Sequence, residues 1–126
     1  MPYITRDLEK VVFSVTQEYP VVIVTGPRQV GKTTMLEKLR EGTSRNYVSL
    51  DDLTDRTLAQ TDPQMFFQLH TPPILIDEVQ YAPQLFIYIK IMVDQSHRAG
   101  DFWLTGSQAF KLMTLAGESL AGRACV

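Results

Sequence analysis

A glycine-rich segment that carries a lysine and hydroxyl side chains follows an apolar run near the start of the chain. The segment 25–34 reads TGPRQVGKTT and comes directly after VVIV. From Gly26 to Thr33 it fits the pattern G-x-x-x-x-G-K-[ST], in which backbone N–H groups surround phosphate oxygens. A helix that begins near Gly31 would direct its positive end at the same anion. The spacing therefore predicts a loop that binds the phosphates of a nucleotide.

The side chains of this loop have distinct expected roles. Lys32 is expected to contact the β- and γ-phosphates, and the Thr33 hydroxyl is expected to bind Mg²⁺. Arg28 could contact phosphate or nucleotide of its own or of a neighbouring subunit. The alternative is a plain strand-to-helix turn with an incidental lysine, but the strand–loop–helix context favours the phosphate-binding loop. The predicted nucleotide-binding residues are Gly26, Pro27, Arg28, Gln29, Val30, Gly31, Lys32, Thr33 and Thr34.

A pair of adjacent carboxylates follows a second apolar run, in ILIDEVQ at positions 74–80. Asp77 ends the run and is predicted to hold Mg²⁺ through water beside Thr33. Glu78 comes next and has the position of a general base that polarises water for attack on the γ-phosphate. The alternative is a solvated acidic turn at the end of a strand. Together with the loop, the pair predicts ATP hydrolysis.

Hydroxyl and basic side chains further along the chain are candidates for the same site. FWLTGSQ at positions 102–108 ends in Ser107, which we expect to contact the attacking water or the γ-phosphate, and Thr105 could take that role instead. Ser107 could also act only as the N-cap of the last helix. Arg123 could sense the γ-phosphate or act on a neighbouring subunit, or it could be an ordinary surface arginine. Gln80 could sense the γ-phosphate or form part of a turn.

Apolar runs that alternate with helical patterns position these groups. The predicted strands are VVIVT, NYVSL, ILID and DFWLTG, and the predicted helices cover residues 5–19, 31–40, 62–70, 83–100 and 107–116. Strands separated by helices favour a parallel sheet with right-handed crossovers. The fold class is therefore α/β, a three-layer open parallel sheet that binds its ligand at the carboxyl ends of the strands.

Individual positions in these elements carry further expectations. The helix over 83–100 is predicted to place a stripe of apolar side chains inward. The stripe comprises Leu85, Tyr88, Ile89, Met92 and Val93. Asp51 and Asp52 follow the second strand and are expected to cap a helix rather than to bind metal.

Length and composition bound the class of protein. The chain of 126 residues suits one domain, and a net charge of −2 gives no sign of a nucleic-acid-binding stripe. The single cysteine, Cys125, cannot form an internal disulfide, which favours the cytoplasm. The start of the chain does not resemble a signal peptide, and the apolar runs are shorter than a membrane span. We therefore expect one cytoplasmic P-loop domain over residues 1–126, with no membrane partner.

Taken together, GPRQVGKTT, YVSLDD, ILIDEVQYAPQLF, WLTGSQ and SLAGR resemble a known family. The chain is similar to the N-terminal ATPase domain of a bacterial and archaeal family in the AAA/ASCE division of P-loop NTPases. In that family a C-terminal domain of unknown function commonly follows. The resemblance implies ATP and Mg²⁺ as ligands. It also implies that the strand ending in Thr105 inserts between the strands ending in Thr25 and Asp77.

The resemblance also raises an expectation about the end of the chain. In relatives another strand follows SLAGR and lies beside VVIVT, and ACV looks like its first residues. The last strand is therefore expected to be missing in large part, as in a domain truncated at its C-terminus. An open edge on the P-loop strand would favour self-association. A protein or DNA partner would then belong to the C-terminal domain.

Several functions remain in competition on the sequence alone. The leading interpretation is an ATP-binding and ATP-hydrolysing domain. The alternative from another class is an ATP-switched interaction module with little turnover, possibly linked to DNA through a C-terminal domain. A GTPase is disfavoured because no N-K-x-D motif occurs. A small-molecule kinase fits the adjacent carboxylates and TGSQ less well.

Overall fold

The described residues form a parallel sheet with helices packed against it. The computed structural model describes residues 18–25, 44–120 and 122–125. The strands are β1 (Val21–Thr25), β2 (Asn46–Ser49), β3 (Ile74–Asp77), β4 (Phe102–Gly106) and β5 (Ala124–Cys125). The helices are α1 (Leu53–Thr61), α2 (Pro63–Leu69), α3 (Gln84–Ser96) and α4 (Ala109–Ser119), with a 3₁₀ turn at Val79–Tyr81.

The strand order confirms the topology that the resemblance implies. The five-stranded sheet has the order β2-β3-β4-β1-β5, and each pairing between its neighbours is parallel. Strand β4 therefore lies between β1 and β3, as expected. Polar residues that end these strands consequently lie on one edge of the sheet, the carboxyl edge.

The end of the chain contributes a short outer strand. Val21 and Val22 of β1 pair with Ala124 and Cys125 of β5. The amino-terminal half of β1 is therefore covered on that side, in the place where the resemblance puts the last strand. Self-association through the rest of this edge stays a prediction.

One face of the sheet forms the main hydrophobic core with the described helices. Ile23, Ile76 and Leu104 on that face are at most 2 % exposed. They pack in one cluster with side chains from α2 and α3, among them Phe66 and Phe86. Alternate residues of the same strands point to the other face, and they too are buried. Burial on both faces explains why these strands are continuous apolar runs rather than alternating ones.

Asp and Pro residues set the starts of the first two helices. Asp52 caps α1 by accepting hydrogen bonds from the backbone N–H groups of Thr54 and Asp55 at 2.9 and 3.1 Å. Asp62 caps α2, whose first residue is Pro63. The capping role expected for Asp52 is confirmed, although the sequence pattern did not predict the helix that it begins.

Helix α3 follows the predicted apolar stripe with one correction. Leu85, Ile89 and Val93 are buried, and Met92 packs against the core. Tyr88 is 36 % exposed. The inward placement of Tyr88 was wrong, because the buried stripe runs through Phe86 instead.

Arg45 is a buried cation that directly precedes β2 at the amino edge of the sheet. The Arg45 guanidinium lies 3.9 Å from the centre of the Trp103 ring. Burial lowers the pKa of Arg45 to about 10, and the charge of Asp101 opposes this shift. The guanidinium is therefore charged at neutral pH, and the stacking on Trp103 compensates part of its lost hydration.

Some predicted elements fall outside the described ranges. These are the helix over 5–19, apart from its last two positions, the helix over 31–40, and the loop 26–34 between β1 and that helix. Within 18–25, 44–120 and 122–125, no helix has the length and apolar character that crossing a bilayer requires.

Candidate functional site

The carboxyl edge of the sheet gathers polar side chains from neighbouring strands. Ser49 of β2 is in register with Asp77 of β3, and Ile76 of β3 is in register with Leu104 of β4. Thr105, which follows Leu104, therefore lies beside Asp77. On the other side of β4, Gly106 is in register with Thr25, the last residue before the predicted phosphate-binding loop.

Hydroxyl groups from both flanking strands hold Asp77. The carboxylate is 7 % exposed. Thr105 Oγ1 donates to Asp77 Oδ1, and Ser49 Oγ lies 3.4 Å from Oδ2 as a second donor. A buried carboxylate needs such donors to offset its lost hydration. The two hydroxyls thus hold the Asp77 carboxylate in place, and carboxylate oxygens are a type of ligand that Mg²⁺ prefers.

Glu78 lies next to Asp77 in a different backbone conformation. Its φ and ψ angles are 55° and 49°, which is the left-handed region that residues other than glycine rarely adopt. Its backbone N–H donates to Thr105 Oγ1 at 3.2 Å. One hydroxyl on β4 therefore contacts both acidic residues, accepting from the backbone of Glu78 while it donates to Asp77.

Glu78 is only 2 % exposed. Its carboxylate accepts hydrogen bonds from the 3₁₀ turn and from the segment between β4 and α4. Oε1 accepts hydrogen bonds from the Ser107 backbone N–H at 3.0 Å and from Gln80 Nε2 at 3.2 Å. Oε2 accepts from Ser107 Oγ at 3.2 Å. Hydrogen bonds to a charged acceptor are stronger than neutral ones, so this arrangement holds the carboxylate in one orientation.

The structure therefore brings some of the predicted site residues together. Asp77, Glu78, Ser107 and Thr105 lie within one hydrogen-bonded group. Ser107 contacts Glu78 directly, and the alternative role as N-cap is wrong, because Gln108 holds the N-cap position of α4. The predicted residues Gly26 to Thr34, with Lys32 and Thr33 among them, lie outside the described residues.

Arg123 lies away from this group. Its backbone oxygen accepts from the Val21 N–H at 3.3 Å, at the start of β1 and therefore at the amino edge of the sheet. Its guanidinium forms a two-pronged ion pair with Asp94 of α3, with Nε to Oδ1 at 2.6 Å and Nη2 to Oδ2 at 3.2 Å. Arg123 does not lie beside Glu78 of its own chain, so a role as sensor of the same γ-phosphate has no support in its position.

Residues that the sequence reasoning missed also belong to the group. Ser49 was not predicted as a site residue; it ends β2 in the structure, whereas the predicted strand NYVSL continues to Leu50. Gln80, expected to sense the γ-phosphate or to form part of a turn, lies in the 3₁₀ turn Val79–Tyr81, is fully buried and contacts Glu78. Comparing the polar residues within one position of each predicted strand end would have found Ser49. The sequence offered a turn at Gln80, but the contact of its side chain with Glu78 was not predicted.

Comparisons with known proteins agree with this geometry. A family model described as "AAA domain" matches residues 18–126. The chain is 36% identical over 104 residues to "Uncharacterized protein Rv2008c" of Mycobacterium tuberculosis. It is similar to the same degree to "Uncharacterized protein Mb2031c" of Mycobacterium bovis. Each match covers 82% of this chain but 23% of the relative, so the chain spans about a quarter of the length of these relatives. Because the family match includes every strand of the described sheet and the loop that follows β1, the chain belongs to the AAA domain family and is an AAA-type ATPase domain.

Proposed function

We propose that this domain binds Mg·ATP at the loop 26–34 and hydrolyses the bond between the β- and γ-phosphates, with Glu78 as the general base. The observation that carries the proposal is the position of the Asp77–Glu78 pair. The pair lies on the carboxyl edge, one strand away from Thr25, which leads into the loop. In open α/β sheets this edge is where ligands bind.

The residues of the edge fit a magnesium nucleotide. Mg²⁺ in nucleotide sites is commonly bound by one or two carboxylates together with phosphate oxygens, and Asp77 offers a buried carboxylate that hydroxyls hold in place. Thr33 and Asp77 would hold the ion, which when bound supplies positive charge that neutralises the phosphate oxygens. The backbone amides of Gly26–Thr34 and the Lys32 ammonium would bind the β- and γ-phosphates.

Glu78 would then take a proton from the attacking water. Its carboxylate is positioned by Ser107 and Gln80, so it needs little reorientation before it accepts the proton. A general base in such a position typically contributes 10²- to 10⁴-fold in rate. Ser107 would act by holding this carboxylate, which modifies the expectation that it contacts water or phosphate itself.

A second candidate is a nucleotide switch with little turnover. The observation that favours it is the enclosure of Glu78, which is 2 % exposed and accepts three hydrogen bonds from Gln80 and Ser107. A base that is so little exposed would have to become accessible before an attacking water could donate to it. In that case ATP would change the domain's contacts with a partner, and the conversion to ADP would be slow. The process that ATP then regulates would depend on a partner that binds through further domains.

Single-turnover phosphate release separates the two candidates. The wild-type chain, Glu78→Gln and a control, Glu118→Gln on the exposed side of α4, are mixed with a substoichiometric amount of ATP and with Mg²⁺. We expect Glu78→Gln to release phosphate at least about 100-fold more slowly than the other two. Equal rates for all three would reject Glu78 as the base and favour the switch. Nucleotide binding by each variant, measured in parallel, excludes loss of the site as the cause.

A further inference from the structure

Gln80 has a buried amide side chain that contacts the Glu78 carboxylate. It lies in the 3₁₀ turn Val79–Tyr81 and is 0 % exposed. Its Nε2 donates to Glu78 Oε1 at 3.2 Å, whereas its Oε1 has no hydrogen-bond partner among the described residues. Buried polar atoms without partners are rare in proteins because they cost stability. An apolar side chain of the same length would avoid that cost, so the packing alone does not account for an amide here.

The end of β4 leaves room for this amide. A Cβ added to Gly106 would lie 2.4 Å from Gln80 Oε1 and 2.3 Å from Leu112 Cδ1. Gly106 is not among the described residues with positive φ, so the position demands space rather than an unusual backbone. The glycine of TGSQ thus permits the Gln80 side chain to cross the end of β4 and reach Glu78.

Gln80 and the backbone of Ser107 converge on the same carboxylate oxygen. Both donate to Glu78 Oε1, at 3.2 and 3.0 Å, and they come from chain segments that follow different strands. With two donors fixed on Oε1 and Ser107 Oγ on Oε2, the carboxylate plane has one orientation. We propose that Gln80 is a positioning residue that orients Glu78 for proton transfer, an assignment that rests on the proposed function of Glu78.

The test replaces the amide by an apolar side chain of the same length, in Gln80→Met. The matched control is Gln84→Met, at an exposed position on the first turn of α3. We expect Gln80→Met to lower kcat for ATP by about 10- to 100-fold, the effect of losing one hydrogen bond to a charged group. KM and the midpoint of thermal unfolding should stay close to the wild-type values, because Gln80 Oε1, which has no hydrogen-bond partner within the described part of the chain, is lost together with the donor. The control should leave kcat and KM unchanged.

A double-mutant cycle with Glu78→Gln shows whether Gln80 acts through Glu78. In the Glu78→Gln background, single-turnover rates with and without Gln80→Met should agree within about twofold. An equal loss in both backgrounds, or an unchanged kcat in an active Gln80→Met protein, would overturn the assignment and leave the role of Glu78 intact. A wild-type rate no higher than that of Glu78→Gln would instead reject the proposed function, and the role of Gln80 with it. If Gln80→Met does not melt cooperatively, Gln80→Leu serves in the same cycle.

Discussion

Glu78 concentrates two unfavourable features on one residue. Its carboxylate is almost fully buried, and its backbone has φ of 55°, a conformation that costs a non-glycine residue roughly 1–2 kcal/mol. Strained backbone of this kind is found most often at active sites and switch regions. The combination of burial and left-handed backbone supports the proposed role of Glu78.

The ion pair between Arg123 and Asp94 gives a prediction for a single residue. The Asp94 carboxylate and the Arg123 guanidinium form an ion pair that lowers the pKa of Asp94 and raises that of Arg123. Since the pair lies at the amino edge, we expect Arg123→Gln to leave ATP turnover unchanged and to lower the unfolding temperature slightly at neutral pH. Turnover assays and thermal melts over a range of pH check both parts.

The pH dependence of this effect has a definite sign. The pKa of Asp94 is lower in the folded chain, so the stabilisation is complete above the ordinary carboxyl pKa and disappears as pH falls through the lowered folded value. Wild type and Arg123→Gln should therefore melt at the same temperature in strong acid. A large loss of turnover in Arg123→Gln that depends on protein concentration would contradict this account and favour action on a neighbouring subunit.

At the scale of elements, the ends of β2, β3 and β4 build the site together. Ser49, Asp77 and Thr105 are adjacent because the strands are parallel and in register. The apolar runs predicted β3 and β4 well, since burial on both faces leaves little ambiguity between strand and loop. Helix α1 was missed because LTDRTLAQT contains few apolar residues and buries only Ala59. Its stability depends on the Asp52 cap and on packing, which periodicity does not detect.

Gly106 at the end of β4 and Gly117 in α4 provide a prediction about stability. We expect Gly106→Ala to destabilise the fold by about 1–3 kcal/mol, the usual cost of overpacking, because the new methyl group overlaps Leu112 and Gln80. Gly117→Ala is the matched control. A Cβ there meets nothing within 4 Å, and alanine should stabilise α4 by roughly 0.5–1 kcal/mol.

Urea unfolding at equilibrium measures both changes. Opposite signs for the two variants would support the close contact of Gln80 with the end of β4. A Gly106→Ala protein as stable as the wild type would mean that Gln80 and Leu112 move aside at little cost, and the contact would then have no structural weight.

At the scale of the whole molecule, the sequence predicted more of the architecture than of the contacts. The strands and their carboxyl-edge motifs follow from apolar runs and polar ends, and the order of β4 between β1 and β3 came from the resemblance. The hydrogen bonds of Glu78 could not be predicted, because they depend on a 3₁₀ turn and on the side-chain paths of Gln80 and Ser107. The chain spans about a quarter of the length of its mycobacterial relatives, since each match covers 23% of the relative.

Nucleotide-linked stability tests the central claim most directly. Thermal or urea unfolding of the wild type, Lys32→Ala and Glu78→Gln is compared with and without ATP and Mg²⁺. At 100 times its dissociation constant, Mg·ATP should stabilise the wild type and Glu78→Gln by about 2.7 kcal/mol. Lys32→Ala should show a much smaller gain at the same concentration, because the phosphates lose their cationic partner. No stabilisation of the wild type, or an equal gain in Lys32→Ala, would contradict the account.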